Sequence, residues 1–364
     1  MAKALKDRSR CLFFSSSRLP LLKNLHRSFE TLAFEELRVD PERPTKSTAL
    51  VLHGLLGSGR NWRSFSRRLV SSIPGSEGSP DLKAKGSKKS KQRAASKGNH
   101  ASEALEQLTR QTREAVRELK EPTATRDAQE WRMVLVDLRN HGRSAGLKGL
   151  EPPHNMESAA KDLADLVKSH GWAWPDVVIG HSMGGKVALA YADSCKQLWV
   201  LDSVPGDAVS DSDGEVENVL KTLQSLPTTL PSRKWLVDQM LNHSFSKSLS
   251  DWIGSNLKKA GDGMTWAFDL QAAIDMFHSY REKSYLSLLE NPPKGLEIAL
   301  VRAENSDRWT QPVLRRLESL SSRPEEPDRG KVSLHVLPRS GHWVHVDNPK
   351  GLLEIMAPNF FFGS

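Results

Sequence analysis

From Val177 to Lys186 the chain reads Val-Val-Ile-Gly-His-Ser-Met-Gly-Gly-Lys, an apolar run of strand length, then Gly-x-Ser-x-Gly, then helix-favouring residues. A serine at such a strand-turn-helix junction is presented on a strained turn, and Gly180 and Gly184 are required because side chains there would collide across it. The chemistry this permits is nucleophilic attack by Ser182 on a carbonyl carbon, with the oxyanion facing the amino end of the following helix. A serine hydroxyl is a weak nucleophile near neutral pH and needs a base beside it. His342, in Ser340-Gly341-His342-Trp343 near the carboxyl end, is the predicted base, and the order serine then histidine is the one this elbow uses. His345 is the competing candidate. His53 and His141 precede glycines in loops, where a structural hydrogen bond is expected, and His181 adjoins the serine on a turn whose neighbours diverge. Two backbone amides must hold the oxyanion. Met183, just after the serine, supplies one, and the glycine-flanked loop His53-Gly54-Leu55-Leu56-Gly57 supplies the other through Leu55.

These residues must be positioned by buried elements. Short apolar runs at Ala49–Leu52, Met133–Val136, Val177–Ile179, Leu198–Leu201, Leu296–Val301 and Val332–Leu337 end at polar or glycine turns, as strands covered on both faces do. Leu32–Leu37 adds an earlier strand. Between them, Ala160, Leu163, Ala164 and Val167 fall at helical spacing, as do Val187, Ala188, Tyr191 and Ala192, and a further helix is expected around Leu314–Leu320. The alternation predicts an α/β fold with a mostly parallel, doubly wound sheet over residues 31–364. Residues 207–290 break the pattern. Their Trp235, Leu236, Met240, Trp252, Ile253, Trp266, Phe268 and Phe277 lie in a helix-favouring context, which predicts a helical cap inserted before the last two strands, with aromatic residues available to line an apolar pocket.

Composition narrows the class. The chain has 364 residues, 38% hydrophobic and 26% charged, with ten tryptophans, too apolar for disorder throughout. No run approaches the ~20 apolar residues of a membrane span, and Cys11 and Cys195 are too few for a disulfide framework or a four-cysteine zinc site. The net charge of +8 is concentrated: residues 1–29 carry +6 and residues 74–97 carry +5, leaving −3 for the rest. That distribution argues against a nucleic-acid-reading core. Residues 1–30, basic, serine-rich and acid-poor, predict an organelle transit peptide, a plastid ahead of a mitochondrion, with a cytoplasmic protein bearing a basic tail as the alternative. Residues 72–128 read as a low-complexity basic and polar insertion in a surface loop. Histidines and carboxylates do not fall at metal-ligand spacings, and neither a metal nor a cofactor is expected.

His53 to Ser58, Asp137-Leu138-Arg139-Asn140-His141-Gly142-Arg143-Ser144, Gly180 to Lys186, Asp202-Ser203-Val204-Pro205 and Gly341-His342-Trp343-Val344-His345 together resemble the α/β-hydrolase fold superfamily. Within it they are most similar to the group of α/β-hydrolase domain-containing protein 11 and small bacterial esterases. The resemblance spans residues 48–347 apart from the insertion, and it implies hydrolysis of a small carboxylic ester or thioester without a cofactor. It also locates the acid that orients the histidine. Many members carry it in Gly-x-x-Asp after the penultimate strand; here Ala303-Glu304-Asn305-Ser306-Asp307 puts Ser306 at that position and displaces Asp307 by one. The resembling esterases carry it after the strand that follows the nucleophile helix, which is Asp202. Asp202 is therefore the expected acid, Asp307 the alternate, and Ser306 a possible donor to the same network. The same triad can serve carbon–carbon bond hydrolysis or perhydrolysis, and a hydrolase pocket can also serve as a small-molecule receptor. Oligomeric state is left open.

Overall fold

A computed structural model describes residues 30–73, 130–207 and 213–360. The proposed transit segment, apart from Glu30, and nearly all of the 72–128 insertion lie outside the described residues. Ser72 is the last residue of a helix and Ile73 is buried, so those first two positions belong to the folded domain rather than to the insertion.

Seven strands form the main sheet: β1 (Phe34–Leu37), β2 (Ser47–Leu52), β3 (Trp131–Val136), β4 (Val177–His181), β5 (Gln197–Leu201), β8 (Glu297–Ala303) and β9 (Lys331–Leu337). Their order is β1-β3-β2-β4-β5-β8-β9; β1 pairs antiparallel with β3 and every other neighbour is parallel. The strands read as continuous apolar runs because each face has its own helical layer. Leu50, Leu52, Val178 and Val200 join the layer built on α2 (Met156–Ser169), α3 (Met183–Ala190) and α9 (Gln311–Ser321). Ala49, Val51, Ile179 and Trp199 join the opposite layer, built on α1 (Arg63–Ser72) and α10 (Pro349–Asn359). Period-two alternation thus fills two cores at once.

After β2 the chain winds to β3, then returns past β2 to β4. The carboxyl ends of β2 and β4 therefore lie side by side where the winding reverses, the crevice in which open α/β sheets bind ligands. Both ends carry predicted chemistry: β2 runs into His53-Gly54 and β4 into Ser182.

The segment between β5 and β8 folds over that edge. It comprises α4 (Asp213–Ser225), α5 (Arg233–Asn242), α6 (Lys247–Ser255), α7 (Leu270–Glu282) and α8 (Leu286–Glu290). Ser232, Ser246 and Asp269 start α5, α6 and α7 by accepting amides at Trp235, Leu249 and Ala272. Leu220, Leu223, Leu236, Met240, Ile253 and Phe268 give this cap a core of its own. The cap is not wholly helical. A hairpin of β6 (Leu257–Ala260) and β7 (Gly263–Trp266) interrupts it, turning at Gly261, whose φ is +56°. Lysine-rich Leu257–Ala260 suits a helix, but Gly-Asp-Gly at 261–263 reverses the chain. Leu230 then exchanges two 2.8 Å backbone hydrogen bonds with Met264. Among the described residues no helix is long and apolar enough to cross a membrane.

Candidate active site

Ser182 sits between β4 and α3 at φ 54°, ψ −122°, a conformation that non-glycine residues rarely adopt. The turn holds it there. A Cβ on Gly180 would lie 2.1 Å from the Gly184 carbonyl oxygen, and one on Gly184 would lie 2.6 Å from the His53 carbonyl oxygen. Only glycine permits that approach, so the elbow is pressed against the end of β2. Met183 is the first residue of α3, and its amide has no carbonyl four residues back to bond. Across from it, Gly57 donates to the Gly54 carbonyl at 3.1 Å, closing a turn with Leu56 at φ 59° and Leu55 at the first corner, an amide that the turn does not consume.

That loop is fastened by His53. Its Nδ1 donates to the Gly54 carbonyl at 2.7 Å, and its Nε2 accepts from the Leu138 amide at 3.0 Å, which fixes the tautomer. His141 donates Nδ1–H to the Arg139 carbonyl at 2.8 Å. The loop after β3 is further held by Asp137, which accepts from the amides of Gly59 and Arg143, and by the buried pair Arg139–Asp162 at 2.6 Å. His181 donates Nε2–H to the backbone carbonyl of His342 at 2.7 Å, so the residue beside the serine anchors the loop that carries the predicted base.

His342 Nδ1 meets Asp202 Oδ2 at 2.7 Å. Asp202 caps the end of β5 at φ 43° and is fully buried. Its other oxygen, Oδ1, accepts from Trp309 Nε1 at 2.6 Å and from the Ala303 amide at 3.0 Å. Burial pushes the Asp202 carboxyl up, but the hydrogen bond and charge of His342, with the bonds from Trp309 and Ala303, outweigh it and hold the group below its ordinary range. Burial, and then the nearby Arg308 guanidinium, lower His342 more than Asp202 raises it. The histidine is thereby kept neutral, the state a base requires.

The alternate acid is not in this network. Asp307 is exposed and acts on His342 only through its charge, while His342 Nδ1 is already engaged by Asp202. Ser306 does not join it either: its Oγ is buried and has no hydrogen-bond partner among the described residues. His345 stacks on Trp62 at 4.1 Å between ring centroids, and burial beside His342 lowers it to about 4. Trp309 and Arg308 were not singled out from the sequence. The available signal was their adjacency to Asp307 in the loop after β8.

Ser182, His342, Leu55 and Met183 all line one cavity of about 220 Å³ between sheet edge and cap. His342 bonds Asp202 through Nδ1, and its carbonyl accepts from His181 and from the Val344 amide; none of its hydrogen bonds reaches Ser182 Oγ among the described residues. From the cap, Val219, Leu249, Trp252, Phe277 and Tyr280 close the cavity, with Trp252 packed on Trp343 at 4.6 Å between centroids. Trp266 and Phe268 instead stack on each other inside the cap core. Among the described residues no cluster of three or more His, Cys, Asp or Glu can hold a metal ion.

A family model described as the alpha/beta hydrolase family matches residues 98–355. The chain is 27% identical over 239 residues to the sn-1-specific diacylglycerol lipase ABHD11 of Mus musculus, aligning 62% of this chain and 70% of that protein. It is 24% identical over 226 residues to Esterase YbfF of Escherichia coli (strain K12), aligning 61% of this chain and 80% of the esterase. In structure it superposes on a marine microorganism esterase with a TM-score of 0.61 at 21% identity, covering 91% of this chain and 99% of that one.

Proposed function

The chain belongs to the alpha/beta hydrolase family, and from that premise we propose that it is a serine hydrolase that cleaves carboxylic esters of small or short-acyl substrates through an acyl-enzyme. The observation that carries this reading is the 2.7 Å contact of His342 Nδ1 with a buried Asp202, on a cavity shared with Ser182 in strained elbow geometry. Asp202 keeps the proton on Nδ1, leaving Nε2 as the acceptor. His342 takes the Ser182 proton as Oγ attacks the ester carbonyl, the amides of Leu55 and Met183 hold the oxyanion, and the imidazolium protonates the leaving alcohol. Water, activated by the same imidazole, then releases the acid. The Ser182–His342 contact closes in the Michaelis complex, as catalytic hydrogen bonds commonly do.

The esterase and lipase names of the relatives support ester chemistry. The cavity supports a short acyl group, since about 220 Å³ lies below the roughly 300–1,000 Å³ of typical ligand pockets and the cap wall is mainly apolar. Turnover of a short nitrophenyl ester by Ser182→Ala tests the reading, with a loss on the order of 10⁶-fold expected. Labelling of the wild type by a fluorophosphonate at Ser182 is expected in parallel. A serine variant that turns over ester as fast as the wild type would overturn it.

A further inference from the structure

Lys186 is fully buried, which lysines almost never are unless their charge is met. It lies on α3, four residues past Ser182, and does not line the catalytic cavity. Its Nζ donates to three backbone carbonyls: Gly206 at 2.7 Å, Tyr280 at 2.5 Å and Lys283 at 2.6 Å. An ammonium has three N–H donors, enough to give one to each of these carbonyls. The Tyr280 ring adds a face to the cation, 4.6 Å from centroid to Nζ.

The acceptors are the two stems of the cap. Gly206 lies where the chain leaves the sheet after β5, Tyr280 is in the last turn of α7, and Lys283 immediately follows that helix. Carbonyls at a helix carboxyl end lack intrahelical donors and carry the negative end of the dipole, so a cation there is favoured. The stems also meet each other, through the Tyr285 amide and the Pro205 carbonyl at 2.7 Å. An apolar side chain of the same length would fill the volume but leave the carbonyls of Gly206, Tyr280 and Lys283 without this donor, which costs more than the bonds themselves contribute. The lysine therefore ties three carbonyls from both stems to one point.

We infer that Lys186 is a positioning residue that fixes the cap relative to the nucleophile's own helix, and so sets where α7 places Phe277 and Tyr280 in the acyl cavity. The kinetic half of this inference rests on the ester-hydrolase reading; the structural half does not.

The test compares Lys186→Met and Lys186→Arg with the wild type on nitrophenyl acetate and hexanoate, together with hydrogen exchange of the intact protein. For Lys186→Met the hexanoate KM is expected to rise on the order of tenfold with kcat within about threefold, the signature of lost uniform binding. The acetate ester, which reaches less of the cap, should change less, and Lys186→Arg should recover part of the hexanoate KM. Amides at 206–207 and 279–286 should exchange faster in Lys186→Met, while those at 177–185 keep their protection. Unchanged kinetics with unchanged exchange overturns the proposal. So does an equal fall of kcat on both esters with loss of protection at 177–185, which would make Lys186 a support of the elbow alone. Should Lys186→Met not accumulate folded, Lys186→Gln, which keeps two donors without the charge, is read by the same criteria. If the wild type hydrolyses neither ester, the ester reading fails, and the exchange comparison still decides the positioning.

Discussion

Replacing Asp202 by asparagine changes one atom, and the donors around that atom dictate the consequence. Oδ1 of Asp202 accepts from two fixed donors, the Ala303 amide and the Trp309 indole, while Oδ2 faces His342 Nδ1 alone. The asparagine oxygen must keep the two-donor side, because an amide nitrogen there would oppose two N–H groups in a fully buried site. The amide nitrogen must then face Nδ1. To accept from it, Nδ1 gives up its proton and the tautomer carries hydrogen on Nε2, where the Ser182 proton has to go. A base in the wrong tautomer costs about 10⁴ in kcat, or about 5.4 kcal/mol of transition-state stabilisation at 1.36 kcal/mol per decade. Steady-state turnover of nitrophenyl acetate measures it, with Asp307→Asn beside it as a matched loss of one charge. Asp307 is solvent-exposed and makes no hydrogen bond to His342 among the described residues, so its screened charge is worth less than about threefold. An Asp202→Asn loss below about tenfold, or a larger loss in Asp307→Asn, would refute the tautomer argument.

The same contacts lead to three further outcomes. Trp309→Phe removes a hydrogen bond to a charged acceptor, worth about 1.5–3 kcal/mol, and is expected to lower kcat roughly tenfold to a hundredfold with KM little changed, as read by the same assay. The acid limb of kcat/KM should lie below pH 6.5, because burial and then Arg308 lower His342 and a lowered pKa keeps the base neutral further into acid. Arg308→Met should move that limb to higher pH in a pH-rate profile. Thermal stability should fall with acidification below pH 6.5. Burial depresses His141 to about 3, His345 to about 4 and His181 well below its ordinary value. An unfolded histidine takes up a proton that the folded one refuses, so the stability present above pH 6.5 is lost as pH falls through the folded values. A melting temperature independent of pH between 6.5 and 4.5 would contradict this.

The elbow was legible because its chemistry and its sterics are both local. Gly180 and Gly184 are spaced to clear one turn, and a strand, a serine and a helix lie in one continuous stretch. The proposed base, His342, stands out for a related reason: it is a histidine in a glycine turn directly after the last strand. The cap's apolar content showed that it would bury surface, but not that Leu257–Trp266 would turn as a hairpin, since that choice depends on Leu230 pairing from 34 residues upstream of Met264.

The proposed acid was the least legible part, because its place depends on two strands far apart in sequence. β5 and β8 are parallel neighbours with Leu201 level with Val301, so residue 202 emerges from one strand beside residue 302 of the other. A carboxylate at either carboxyl end can therefore reach the same imidazole, and local sequence cannot say which strand provides it. What distinguishes them is the set of partners. Asp202 receives an amide from β8 and an indole from the loop beyond it, whereas Ser306, one of the positions the resemblance pointed to, buries its hydroxyl without a partner among the described residues. The loop after β8 has in effect become the scaffold for a carboxylate carried by the strand next to it. For that reason Trp309, three residues past Ser306 and outside every motif of the sequence, belongs to the network as fully as the acid it holds.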